Sequence, residues 1–115
     1  MKYELNFKNK SVLITGAASG IGLESTKAFL QNGADVYMAD YNEANLNEQV
    51  SALSAQYPES KIIPIVCDIT NQDEAAKMSA IIKENTGTLD ILINNAGMSH
   101  SAYSIYEKKQ DWDKV

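Results

Sequence analysis

Four short runs of apolar and β-branched residues, Val12–Thr15, Val36–Ala39, Ile62–Cys67 and Leu89–Asn94, alternate with three stretches whose apolar residues recur at helical spacing. That alternation restricts the chain more than any other feature, because strand–helix–strand order leads to a parallel sheet with helices over it. The strands read as continuous apolar runs, as expected where both faces of a sheet are covered. The first helical stretch starts near Gly20 and ends at Asn32-Gly33, with glycine in its usual place just past a helix. The second follows Asn42, a good cap, and turns Leu46, Val50, Leu53 and Tyr57 to one side. Thr70 and Asp73 frame the third as a variant of the capping box; it buries Ala75, Met78, Ile81 and Ile82 and stops before Gly87.

Pro64 lies inside the third strand and cannot donate to a ladder, so that strand belongs at a sheet edge. Right-handed crossovers then leave one simple arrangement. Strands two and three step outward from strand one, and the last helix crosses the other face to bring strand four to strand one's free side. The fold class is α/β, with four parallel strands in the order 3-2-1-4 and helices on both faces. This is a mononucleotide-binding half of a Rossmann sheet, and residues 1–115 form that half-domain. Its ligand crevice opens where the order reverses, between strands one and four.

At that point the sequence reads ITGAASGIG, from Ile14 to Gly22. Gly16 permits a tight turn, and Gly20 and Gly22 allow backbone to approach a ligand or helix to pack on sheet. Three glycines cost roughly 0.5–1 kcal/mol each in backbone entropy, more than a plain turn requires. The N–H groups and partial positive charge of a helix start suit a pyrophosphate. Asp40, 18 residues beyond Gly22 at the end of strand two, can accept from the ribose hydroxyls of NAD. It repels a 2′-phosphate, and neither Ala17-Ala18 nor Tyr41-Asn42 supplies a cation, so NAD is favoured over NADP. Asp40 also has a plainer reading, as a cap for the loop before Asn42.

Composition removes other classes. Ten basic residues against fifteen acidic ones give a net charge of −5 with no basic run, which disfavours nucleic acid or an anionic membrane as partner. Cys67 is the single cysteine and His100 the single histidine, so no internal disulfide forms and no ordinary four-ligand metal site is expected. The opening MKYELNFKNK lacks a signal-peptide core, and no run of ~18 apolar residues spans a membrane. A cytoplasmic location is the expectation.

TGAASGIG (Thr15 to Gly22) and NNAG (Asn94 to Gly97) together resemble the paired motifs of the short-chain dehydrogenase/reductase family. Cys67-Asp68-Ile69-Thr70, the lead-in FKNKSVLITG and the terminal WDKV fit as well, so the resemblance covers essentially the whole chain. It implies that Gly16, Ser19, Gly20 and Ile21, with Gly22 beside them, line the pyrophosphate. By the same resemblance Asp40 holds the adenosine ribose, Asp68 and Ile69 bracket the adenine, and Asn95, Ala96 and Gly97 run beside the nicotinamide ribose. Asp68 also has a structural reading, as a loop carboxylate near a helix start. Asn94 is expected to tie strand four to its neighbours.

The family's hydride chemistry needs a tyrosine whose pKa is lowered by a lysine one helical turn on, with a serine and an asparagine. The one YxxxK here, Tyr57 to Lys61, contains Pro58, which breaks a helix. Tyr103 and Tyr106 meet Glu107 and Gln110 four residues on, and Ser99, Ser101 and His100 come too early for the family's serine. No residue is assigned as catalytic. The expectation is an N-terminal, cofactor-binding half of an NAD-dependent oxidoreductase, inactive by itself. It would act on a small alcohol or carbonyl substrate when complete, as a homo-oligomer or by self-association through the edge at Ile91-Leu92-Ile93. The alternatives are a non-catalytic nucleotide-binding module ending at Val115 and a degenerate product without a stable fold.

Overall fold

A computed structural model describes residues 6–68, 70–85 and 88–95. Seven elements follow in order: β1 (Ser11–Thr15), α1 (Gly20–Gln31), β2 (Asp35–Asp40), α2 (Glu43–Gln56), β3 (Ile62–Val66), α3 (Gln72–Asn85) and β4 (Ile91–Asn94). The four strands pair in parallel in the order β3-β2-β1-β4. Pro64 stands opposite Met38 on the edge strand, where its missing N–H costs no interior ladder bond.

Successive strand residues point to opposite faces, and each face carries its own core. Val12, Ile14, Val36 and Met38 pack with Leu30 of α1 and with Leu46 and Leu53 of α2. Leu13, Tyr37, Ala39 and Ile65 face the other way, onto Met78 and Ile82 of α3. Val12, Leu13 and Ile14 are all 0% exposed, which identifies β1 as a strand covered on both sides. Fully burying a side chain of this size contributes about 1.5–3 kcal/mol, so two contacts such as Leu46 and Leu53 outweigh the weak intrinsic stability of a 14-residue helix.

Helix ends follow local chemistry. Asn42 caps α2 as expected, its Oδ1 accepting the Asn45 N–H at 3.0 Å. The start of α3 differs from the expected Thr70–Asp73 frame. Asn71 Oδ1 accepts the N–H groups of Asp73 (2.9 Å) and Glu74 (3.3 Å), while the Thr70 hydroxyl turns back to Asp68 Oδ1 at 2.6 Å. Asn71 stands directly before the first helical residue and has the reach, whereas Asp68 has already engaged Thr70. Gly87, expected to follow this helix, lies outside the described residues.

β4 is fastened at its base by Asp90. Its Oδ2 accepts the Ser11 N–H at 2.8 Å, and its own N–H donates to the Ser11 carbonyl at 3.0 Å. With β1 on one side, β4 forms the sheet edge opposite β3 among the described residues.

Candidate functional site

The carboxyl ends of β1, β2 and β4 meet at the turn of residues 15–20. Thr15 is the hub on the β4 side. Its hydroxyl donates to Asn94 Oδ1 at 2.8 Å and accepts the Asn95 N–H at 3.0 Å, and Asn95 Nδ2 reaches the Gly16 carbonyl at 3.4 Å. Asn94, 7% exposed, therefore ties β4 to its neighbour as the sequence indicated. Asn95 holds the back of the glycine turn.

The three glycines do different work. Gly16 and Gly20 have φ of 61° and 53°, a left-handed conformation that only glycine adopts readily. A Cβ on Gly20 would meet nothing within 4 Å, so this side of the loop is open. A Cβ on Gly22 would lie 2.0 Å from the Gly16 carbonyl oxygen and 2.9 Å from Asn95 Nδ2. The third glycine therefore serves the seating of α1 against the turn and not the open side.

The start of α1 is electrostatically unlike the other helix starts. Ser19 is its N-cap and makes no side-chain capping bond, and its first turn has no acidic residue. The first turns of α2 and α3 carry Glu43 and Asp73 with Glu74, respectively. Free N–H donors and the positive end of the helix dipole thus meet an uncommitted hydroxyl at an exposed position. Ile21, 66% exposed, stands one residue past Gly20. A shallow hollow lined by Gly20, Ile21, Leu23, Glu24, Ser25 and Ala28 runs along the flank of α1 and draws no residue from β2 or β4.

On the β2 side Asp40 is 8% exposed and anchored. Its Oδ2 accepts the Ala18 N–H and its Oδ1 the Asn42 N–H, both at 3.0 Å. The plainer reading of Asp40 as a loop cap is therefore realised, extended to the glycine turn. Each oxygen retains a further lone pair, so the anchoring does not exhaust the carboxylate. Asn45 Nδ2 donates to the Ala18 carbonyl at 2.9 Å, and Tyr41 beside Asp40 is 79% exposed.

Asp68 follows β3 in an exposed loop. Its Oδ1 accepts from both the hydroxyl (2.6 Å) and the N–H (3.0 Å) of Thr70, and its own N–H donates to Glu74 at 2.8 Å. The two bonds from Thr70, the hydroxyl first, lower the Asp68 pKa from its ordinary value. The folded state thus binds this proton less readily than the unfolded chain does. The resulting stabilisation is present above the ordinary aspartate pKa of about 3.9 and is lost as pH falls through the lower folded value. Thr70→Val is expected to move the Asp68 carboxyl titration upward, read by carbon-detected NMR across pH 2–6; an unmoved titration would refute the hydroxyl as the main cause.

Ile69, Ala96 and Gly97, and the tail containing Ser99, His100, Ser101, Tyr103 and Tyr106, lie outside the described residues. Tyr57 is the C-cap of α2, and Lys61 immediately precedes β3, so that pair shares no helix face. Among the described residues no group of three or more His, Cys, Asp or Glu is placed to hold a metal ion. No helix among them is long and apolar enough to cross a membrane. Sequence reasoning missed Asn45 and Thr15 as fasteners of this edge, and Asp90 as the fastener at the other end of β4. The one available signal was Asn45 at the third helical position, where a capping box ordinarily carries Glu or Gln.

A parallel 3-2-1-4 sheet with a glycine turn running from its first strand into a helix start defines a Rossmann-type α/β unit. The short chain dehydrogenase family profile matches residues 10–115, and the chain belongs to that family of oxidoreductases. It is 36% identical over 111 residues to the 3-oxoacyl-(acyl-carrier-protein) reductase of Thermotoga maritima, covering 96% of this chain and 44% of the relative. It is 35% identical over 96 residues to the 15-hydroxyprostaglandin dehydrogenase (NAD+) of Rattus norvegicus, covering 84% of this chain and 36% of the relative. The fold superposes with a TM-score of 0.79 on L-sorbose reductase from Gluconobacter frateurii, solved with NADPH and L-sorbose, at 25% identity over 84% of this chain and 36% of that one. The chain thus spans less than half the length of these relatives.

Proposed function

We propose that the chain is the NAD-holding part of an oxidoreductase that moves hydride between nicotinamide and an alcohol or carbonyl carbon. The observation that carries the reading is the start of α1, with free amides, an uncommitted Ser19 hydroxyl, no acidic neighbour in the first turn, and open space at Gly20. These features fit a pyrophosphate. Gly16, Ser19, Gly20 and Ile21 would hold it, with Gly22 securing the helix behind them. The remaining lone pairs of Asp40 would accept from the adenosine ribose hydroxyls. Asp68 and Ile69 would flank the adenine, and Asn95, Ala96 and Gly97 would lie near the nicotinamide ribose. When bound, the nicotinamide supplies the hydride donor or acceptor; the chain's own residues bind and orient it. The side of β4 that has no partner among the described residues offers a place for a further strand, from more of the same protein or from a second copy.

NAD is favoured over NADP because a 2′-phosphate would bring negative charge against Asp40. Ala17, Ala18, Tyr41 and Asn42 around it offer no cation. The expected result of fluorescence titrations is NADH binding at least about tenfold tighter than NADPH, a difference of about 1.4 kcal/mol. Equal affinities would remove Asp40 from the assignment. A non-catalytic nucleotide-holding module is the second reading. Hydride turnover by a protein containing this chain decides between them.

A further inference from the structure

Asn45 is the third residue of α2, and its side chain does not do what that position ordinarily does. In a capping box the side chain at this place turns back to the N–H of the cap residue. Here the cap's N–H, that of Asn42, donates to Asp40 Oδ1, while Asn42 Oδ1 accepts the Asn45 N–H, each at 3.0 Å. Asp40 has taken over the reciprocal half of the box. The Asn45 amide is thereby released, and it reaches across 27 residues of sequence to the Ala18 carbonyl at 2.9 Å.

Ala18 is consequently held on both sides of its Cα, through its N–H by Asp40 and through its carbonyl by Asn45. In a trans peptide the N–H points opposite to the carbonyl, and no described peptide bond is cis. Drawing the Ala18 carbonyl toward α2 therefore turns the Ser19 N–H away from α2. Ser19 is exposed, and its hydroxyl caps nothing.

We infer that Asn45 is a positioning residue for the phosphate loop: it fixes the Ala18–Ser19 peptide so that the Ser19 amide is presented to a phosphate oxygen. Asn45 acts through that peptide and touches no ligand. The inference rests on the dinucleotide reading above. It distinguishes itself from simple bracing of α2 by acting on ligands that carry phosphate and sparing those that do not.

The test compares the full 115-residue chain with its Asn45→Ala variant, titrated with NADH and with adenosine, alongside a thermal melt of each. Alanine favours a helix interior, so α2 is retained. NADH binding is expected to weaken roughly fivefold, the scale of one lost hydrogen bond, while adenosine binding is unchanged. Equal weakening of both ligands, or of neither, overturns the inference and leaves the dinucleotide reading standing. Failure of the unmodified chain to bind NADH overturns that reading and this inference with it. Asn45→Leu, of similar shape without the donor, repeats the comparison at a lower temperature should the alanine variant melt early.

Discussion

Gly22→Ala is expected to melt roughly 10–20 °C below the parent chain. The added methyl would sit 2.0 Å from the Gly16 carbonyl oxygen and 2.8 Å from its carbon, with Asn95 Nδ2 at 2.9 Å. Two of those three atoms are backbone, so no side-chain rotation relieves the overlap, and α1 must move off the turn. Overpacking of this kind costs about 2–3 kcal/mol, and each kcal/mol shifts the melt of a domain this small by about 4–8 °C. Gly20→Ala makes the internal comparison. Its methyl meets nothing within 4 Å, and the cost is confined to holding alanine at φ +53°, about 1–2 kcal/mol. Gly20→Ala is therefore expected to lose dinucleotide binding out of proportion to stability, and Gly22→Ala to lose stability first. Calorimetric melts of the two variants check the ordering, and an equal or reversed order refutes it.

Asp40→Ala is expected to lower stability by about 2–4 kcal/mol, because two main-chain N–H groups lose their acceptor together. One of them belongs to Ala18, which is 2% exposed. The same change is expected to weaken NADH binding without creating NADPH binding. Removing the carboxylate eliminates the repulsion toward a 2′-phosphate, but it also releases the loop on which the pyrophosphate would rest. On the proposed reading, cofactor choice and loop order would be coupled through one side chain. Denaturant titration with parallel NADH and NADPH binding measures both effects. An Asp40→Ala chain of undiminished stability that gains NADPH affinity would show that the two roles are separate.

The larger architecture was legible because it follows from local chemistry. Pro64 named the edge strand, and the continuous apolar runs named a sheet covered on both faces. The Asn32-Gly33 pair marked the end of α1, where the Asn32 and Gly33 N–H groups return to the Phe29 and Leu30 carbonyls. Asn42 was readable as a cap because capping acts over three residues. Of the candidate site, the positions of its residues on turn and strand ends were legible, and the bonds among them were not. Nothing near Asp40 in sequence says that its carboxylate is bound by Ala18, 22 residues earlier. Likewise nothing beside Ser11 points to Asp90, 79 residues later. Tertiary bonds such as these leave no periodicity to read. Thr70 was misassigned for a local reason: as a cap it competes with Asn71, and the Asp68 carboxylate two residues earlier takes its hydroxyl.

The attachment of β4 has a consequence for the order of assembly. Both of its fasteners, Ser11 with Asp90 and Thr15 with Asn94, join residues 79 apart in the chain. The β1–β2 pair, by contrast, begins at Ser11 and Asp35, a separation of 35 − 11 = 24. Closing the longer loop costs about 1 kcal/mol more in chain entropy, and among the described residues β4 recovers that cost from one neighbouring strand. By this entropy argument the β1-α1-β2 unit is the expected nucleus, with β4 expected to join it after β2; native-state hydrogen exchange, with β4 amides less protected than those of β1 and β2, checks the order. Because Asn95 Nδ2 reaches the Gly16 carbonyl, any opening of β4 would also free the back of the glycine turn.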